Sequence, residues 1–304
     1  MAALLSVLAY VVIIVVGVVL RQFGLVPRDL AKPVGFLILN VTLPCAIVTF
    51  LSGVKFDPAL LFTILLPIAA TWVMIGVAWL LTRRRADAAQ ATPFAMLNMS
   101  SYNVGTFAMP FTMGLVPPLG FLVICLFDVG NGVMCAGGTY AFACRGSGGA
   151  WAAMKGVAHA LLRAAPLWTY IWVIALTFMD VTLPKPLLHV FEVIGSANSF
   201  LSMLFIGLSI NLAVNWEKLK GLLGLMVVRY LVNALLALLL FFTLPFPLEV
   251  RQAITLVMMS PLPVLGIVFT MKAKLDWESA ANINSISVAA SIVIMCAMLS
   301  VFTA

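Results

Sequence analysis

The segment that decides the fold reads Pro93-Phe-Ala-Met-Leu-Asn98-Met-Ser100-Ser101-Tyr102-Asn103-Val104-Gly105-Thr106-Phe-Ala-Met-Pro110-Phe. Apolar residues surround a polar cluster, and Gly105 and Pro110 follow it. A second segment, Met258-Met259-Ser260-Pro261-Leu262-Pro263-Val264-Leu265-Gly266, carries two prolines one residue apart. Each proline removes a backbone donor and pushes the residue before it out of helical geometry. Neither segment is expected to be a regular helix throughout.

Composition says what medium surrounds these breaks. The chain has 304 residues, 64% of them apolar and 9% charged. Ordinary soluble domains carry about 45–50% apolar and about 25% charged residues. Too little polar side chain remains to cover a soluble fold of this size, so the sequence reads as a multi-span integral membrane protein. The first run, Ala2 to Leu20, lacks a basic leader and a small-residue cleavage site, and reads as a retained span. The five cysteines form no CxxC pair and imply neither a disulfide framework nor a metal site. The net charge of +7 is spread thinly along the chain. It makes no basic face, so no nucleic-acid partner is expected.

Breaks at charges, prolines and turns divide the chain into ten apolar segments: 3–20, 33–52, 58–81, 92–113, 118–143, 164–181, 187–213, 219–242, 248–270 and 277–302. Each approximates the length of a tilted transmembrane helix. Residues 151–162, with Lys155 and His159, read as an interfacial lead-in to the sixth. With both termini outside, the cytoplasmic loops hold 13 basic residues: Arg21, Arg28, Lys32, Arg83, Arg84, Arg85, Arg145, Lys155, Arg163, Lys218, Lys220, Lys272 and Lys274. The outer loops hold 3, Lys55, Lys185 and Arg251. This asymmetry follows the positive-inside rule. Five spans in 1–150 and five in 151–304 give the two halves opposite orientations, as an inverted repeat requires. The expected fold is therefore an all-α membrane protein of ten helices. The fourth span of each half is broken, and broken backbone at membrane depth is tolerated only inside protein or against a wet cavity.

Two charges remain inside spans. Asp128 lies in the fifth, with Asn131 on the same helix face. Its depth suggests function, either as a proton carrier or as a structural acid bonded to broken backbone. Arg229 lies in the eighth. Three roles are open to it: pairing with Asp128, binding a substrate carboxylate, or snorkelling to the cytoplasmic interface. Asn40, Thr42 and Pro44 in the second span, and Asn198, Ser199 and Ser202 in the seventh, either line a substrate cleft or join helices, at about 0.6 kcal/mol per contact. Trp168, Tyr170 and Trp172 read as an interfacial aromatic belt. There is no HExxH, GxSxG or Walker A motif. No enzyme activity, catalytic residue or bound cofactor is expected, and uphill transport would need an ion gradient.

Asn103-Val-Gly-Thr-Phe-Ala-Met-Pro110, Phe127-Asp128-Val-Gly130-Asn131, Asn40-Val-Thr42-Leu-Pro44 and the Pro261 region together resemble the auxin efflux carrier family of membrane transporters. Bacterial members of that family include candidate malate and malonate carriers. The family is similar in fold to the bile-acid sodium symporters, with crossing, broken helices four and nine. The resemblance implies a core of spans 3–5 and 8–10 beside a scaffold of spans 1, 2, 6 and 7. It also implies a multi-pass carrier of the bacterial inner membrane and a homodimer through the scaffold. There are two departures: residues 196–203 lack a proline common in the family, and 260–263 hold two.

The expected function is secondary transport of a small organic anion, such as a dicarboxylate, by alternating access. Asn103, Gly105, Thr106, Pro110, Ser260, Pro261 and Pro263 would form the site, with Asn40, Thr42 and Asn198 lining the cleft. Asp128, Asn131 and Arg229 would support the crossover or the coupling. The expected coupling ion is H+; Na+, as in the bile-acid relatives, is the alternative. A non-transporting membrane sensor is the reading from another class.

Overall fold

A computed structural model describes residues 2–27, 29–55, 57–144, 159, 162–179, 181–210 and 216–302. Most of the lead-in 151–162 and the topology markers Arg28, Arg145 and Lys155 lie outside the described residues. Among those described the chain is all-helical. We number the helices α1 (Ala2–Gln22), α2 (Ala31–Leu51), α3 (Pro58–Thr82), α4 (Ala88–Met99), α5 (104–112), α6 (Pro118–Ala143), α7 (Ala165–Phe178), α8 (Lys185–Ser209), α9 (Trp216–Thr243), α10 (Leu248–Val257), α11 (Val264–Lys272) and α12 (Trp277–Phe302).

Six described helices are long and apolar enough to cross a membrane: α2, α3, α6, α8, α12 and the Gly221–Thr243 part of α9. Leu8–Gln22 of α1 and all of α7 are shorter apolar helices. The expected spans 92–113 and 248–270 are each split, into α4 with α5 and α10 with α11. Large apolar side chains such as Val12, Phe36, Trp72, Val193, Leu235, Phe242 and Val293 lie exposed around the outside. Water does not accommodate that much apolar surface on one molecule; lipid does. These features make the chain a multi-pass integral membrane protein.

Two prolines shape helices from within. Pro44 in α2 and Pro110 in α5 each follow a widened π-helical turn, Ile38–Thr42 and Val104–Ala108. A proline ring collides with the carbonyl four residues back and cannot donate to it. Just before each proline the helix is wider than an α-turn: Leu43 N–H bonds back to Ile38 and Met109 N–H to Val104, five residues each. A third such turn, Met134–Gly138, interrupts α6, and there Gly137 takes φ 144°, a conformation suited to glycine.

Close helix packing depends on missing side chains. A Cβ on Gly207 of α8 would collide with the Ile14 carbonyl oxygen of α1. A Cβ on Gly130 of α6 would collide with the Ile64 carbonyl oxygen of α3. Arg21, near the end of α1, donates to the carbonyls of Leu208 (2.7 Å) and Ile210 (3.2 Å), so the same ends of α1 and α8 meet. Gly130→Ala is expected to destabilise the purified protein by about 1–3 kcal/mol, the usual cost of overpacking. Gly76→Ala in α3, whose Cβ meets nothing within 4 Å, serves as the control. Thermal unfolding in detergent should show a lowered midpoint for Gly130→Ala alone.

Candidate functional site: two interrupted helices

The breaks lie at residues 100–103 and 258–263, and they touch. Asn103 N–H donates to the Pro261 carbonyl at 2.9 Å. Nearby, α4 and α11 are held together by Asn98, whose amide donates to Thr270 Oγ1 at 2.8 Å. Gly266 lets them approach, since a Cβ there would lie 3.2 Å from the Leu97 carbonyl oxygen.

Each break frees backbone groups, and a different helix satisfies them. In the first break, Asn131 of α6 accepts from Tyr102 N–H at 3.0 Å and donates to the Tyr102 carbonyl at 2.8 Å. A single amide thus pairs one residue's backbone as a neighbouring strand would. In the second break α12 performs the same task on Leu262. Ser287 Oγ accepts from Leu262 N–H at 3.0 Å, and Asn284 Nδ2 donates to the Leu262 carbonyl at 2.8 Å. Ser291 donates to the Met259 carbonyl at 2.6 Å.

Arg229 of α9 serves both breaks. Its guanidinium donates to the carbonyls of Met99, Ser100 (2.7 Å), Ser101 (3.1 Å) and Ser260 (3.1 Å). The residue is 0% exposed, so it does not snorkel. Asp128 is not its partner either. The Asp128 carboxylate accepts from Asn131 Nδ2 at 3.3 Å and from the Tyr170 hydroxyl at 3.2 Å, beside Gly105. The geometry therefore gives Arg229 backbone carbonyls of both breaks as partners, in place of Asp128 or the cytoplasmic interface. Tyr170 is also buried and bonded to Asp128, which departs from the aromatic-belt reading, whereas its neighbours Trp168 and Trp172 are exposed.

The remaining expected site residues divide into two groups. Asn103, Gly105, Thr106, Asp128, Asn131 and Pro261 belong to one connected cluster. Thr106 donates to Asn103 Oδ1 at 2.6 Å, while Asn103 Nδ2 makes no hydrogen bond among the described residues. Pro263 caps the start of α11. Ser260 turns its hydroxyl to the Val257 carbonyl. The Pro110 carbonyl accepts from Ser199 of α8 at 3.4 Å. Asn40, Thr42 and Asn198 lie elsewhere. Thr42 donates to Asn198 Oδ1 at 3.0 Å across the buried seam between α2 and α8. Asn40 is exposed and bonds to the Phe36 carbonyl of its own helix. Thr42 and Asn198 thus join α2 to α8 and Asn40 bonds within its own helix, while the buried Asn198 Nδ2 has no hydrogen-bond partner among the described residues.

Beside Asn103 lies a cavity of ≈ 10 Å³, near the smallest that holds a water. Its walls are Phe205, Ile206, Ser209 and Ile210 at the end of α8, Val264 at the start of α11, and Asn284, Ser285 and Val288 of α12. Asn284 and Ser285 are not among the residues expected from the sequence. The signal that could have found Asn284 is the polar row Asn284, Ser287 and Ser291 at helical spacing within an apolar span. A larger cavity of ≈ 370 Å³, lined by Thr82, Arg85, Asp87, Gln90, Asp276 and Ser279 among others, shares no residue with it. There an Arg85–Asp87 ion pair at 2.8 Å holds the Asp87 carboxyl below its ordinary range.

No family model matches the chain, and no curated protein matches it either.

Removing either holding helix's polar group should weaken the interrupted segments. Asn131→Ala leaves the Tyr102 N–H and C=O unpaired at an expected cost of about 1–3 kcal/mol for each group. Ser287→Ala strips the Leu262 N–H in the same way. Both variants should unfold at lower temperature than the wild type, with Asn131→Ala the more affected. Equal wild-type-like midpoints would show that the two breaks do not depend on these side chains.

Proposed function

We propose that this protein is a secondary transporter of a small organic anion, such as a dicarboxylate, working by alternating access. In this reading α1, α2, α3, α4 with α5, α6, α7, α8, α9, α10 with α11, and α12 are ten spans in two inverted five-helix repeats. The carrier resembles the auxin efflux carriers, resides in the bacterial inner membrane with both termini outside, and dimerises through the scaffold.

One observation carries the reading: two interrupted segments meet at the Asn103–Pro261 hydrogen bond, beside a cavity walled by two different helix sets. One wall is α8 of the scaffold set. The other is made by the breaks and α12 of the core set. Sliding of one set against the other would open and close this cavity. The matched roles of α6 and α12, each pairing the N–H and C=O of one residue in a break, support the repeat.

The anion preference follows from local charge. α5 starts after Asn103 and α11 after Pro263, so two helix N-termini border the cavity. Their positive ends favour a carboxylate. Asn103 Nδ2 supplies a side-chain donor. In this narrow form the cavity is closed to a dicarboxylate, so substrate entry requires the two sets to separate. Asp128 is the proton carrier of this scheme: its carboxylate touches the start of α5 and makes no ion pair among the described residues.

Uptake into proteoliposomes tests the proposal, after a thermal-shift screen of organic acids has chosen the anion. Asn103→Ala and Pro110→Ala are expected to reduce uptake at least about tenfold, the loss of roughly 1.4 kcal/mol or more of productive binding. Asp128→Asn keeps an acceptor for Tyr170 but carries no titratable proton. It should abolish stimulation by an imposed pH gradient. Full transport by both Asn103→Ala and Pro110→Ala would sink the site.

A further inference from the structure

The surroundings of Arg229 have the composition of a cation site. Three of its carbonyl partners, on Met99, Ser100 and Ser101, follow one another at the end of α4. The fourth, on Ser260, lies just beyond the end of α10. The C-terminal end of a helix carries partial negative charge and unpaired carbonyls. Two such ends converge on one guanidinium. The Tyr102 ring adds its negative face, with Arg229 Cζ 5.3 Å from the ring centroid. No carboxylate lies within 4 Å of the guanidinium among the described residues.

A cluster of carbonyl oxygens is the donor set that alkali cations use in place of their hydration shell. At interrupted membrane helices the C-terminal ends serve bound cations in this way. Here the oxygens of both breaks are taken up by a side chain with a permanent charge. A buried cation is costly unless its donors are met; here four carbonyls take the bonds of the two terminal nitrogens, while Nε has no partner among the described residues. Conversely, without the cation, four partially negative oxygens would face each other in a buried space.

We infer that Arg229 is a built-in substitute for a bound metal cation: it fills the carbonyl cage that joins the two breaks, so the cage takes no sodium. The inference deepens the transporter reading by excluding sodium coupling at the junction, yet it concerns the cage itself and is tested without transport. It also accounts for the position of Arg229 in the membrane with no acidic partner. Removing the side chain leaves a vacant cage of oxygens that an alkali cation can enter.

The experiment measures thermal unfolding of the purified wild type, Arg229→Ala, Arg229→Gln and Arg229→Lys in NaCl, KCl and choline chloride at equal ionic strength. The wild type should have one midpoint in all three salts, and so should Arg229→Lys. Arg229→Ala should be less stable in choline and should recover on the order of 5 °C in sodium or potassium, at salt about a hundredfold above the dissociation constant. Ethylguanidinium at millimolar concentration should rescue it too. If the neutral variants do not accumulate as folded protein, recovery of Arg229→Lys but not Arg229→Gln still supports a required charge. Loss of both overturns it. A folded Arg229→Ala indifferent to the cation also overturns the inference, as does a wild type stabilised by sodium over choline. None of these arms measures uptake, so a failed transport assay does not alter what they show about the cage.

Discussion

A backbone N–H or C=O released at membrane depth has no water to turn to, and each one left unpaired costs several kcal/mol. The two breaks in this chain release roughly a dozen such groups on general counting of helix ends, and the rest of the interior is arranged around them. Asn131 takes both groups of Tyr102. Ser287 and Asn284 take those of Leu262. Ser291 takes the Met259 carbonyl, Asn103 N–H takes the Pro261 carbonyl, and Arg229 takes four carbonyls at once. Polar residues in α6, α9 and α12 are thereby explained as partners of backbone, not as isolated polar intrusions into an apolar helix.

The same constraint separates stiff from adaptable parts. Around the breaks the helices are tied by directional bonds and by close approaches such as Gly266 against Leu97. Along the seam between α8 and the breaks the contacts are softer: Ser199 reaches the Pro110 carbonyl at 3.4 Å, and much of the cavity wall is apolar. Apolar surfaces can slide without stranding a hydrogen-bonding group. A boundary of that kind suits relative motion, while the junction of the breaks suits a fixed charge pattern.

Much of this is legible residue by residue. Pro261 and Pro263 cannot sit in an uninterrupted helix, and the helix does stop at Val257 and resume at Val264. Asp128 and Asn131, three residues apart, do lie together, joined by a hydrogen bond. Other features have no local signature. Arg229 lies 130 residues from Met99, and nothing in its own helix names carbonyl oxygens as its partners. Tyr170 sits between two tryptophans at a span end and looks interfacial, but the fold turns it inward to Asp128. Thr42 and Asn198 could face a cleft or each other on pattern alone, and packing of α2 on α8 chose the latter.

The medium around the protein and the places where its helices fail are both written in the chain. They follow from covalent facts: 64% apolar side chains need lipid, and a proline has no N–H to give. The identity of the groups that repair those failures emerges only from folding. An unpaired carbonyl accepts from any donor within reach, whether an asparagine, a serine or an arginine. Reach is set by how helices far apart in the chain come to lie together.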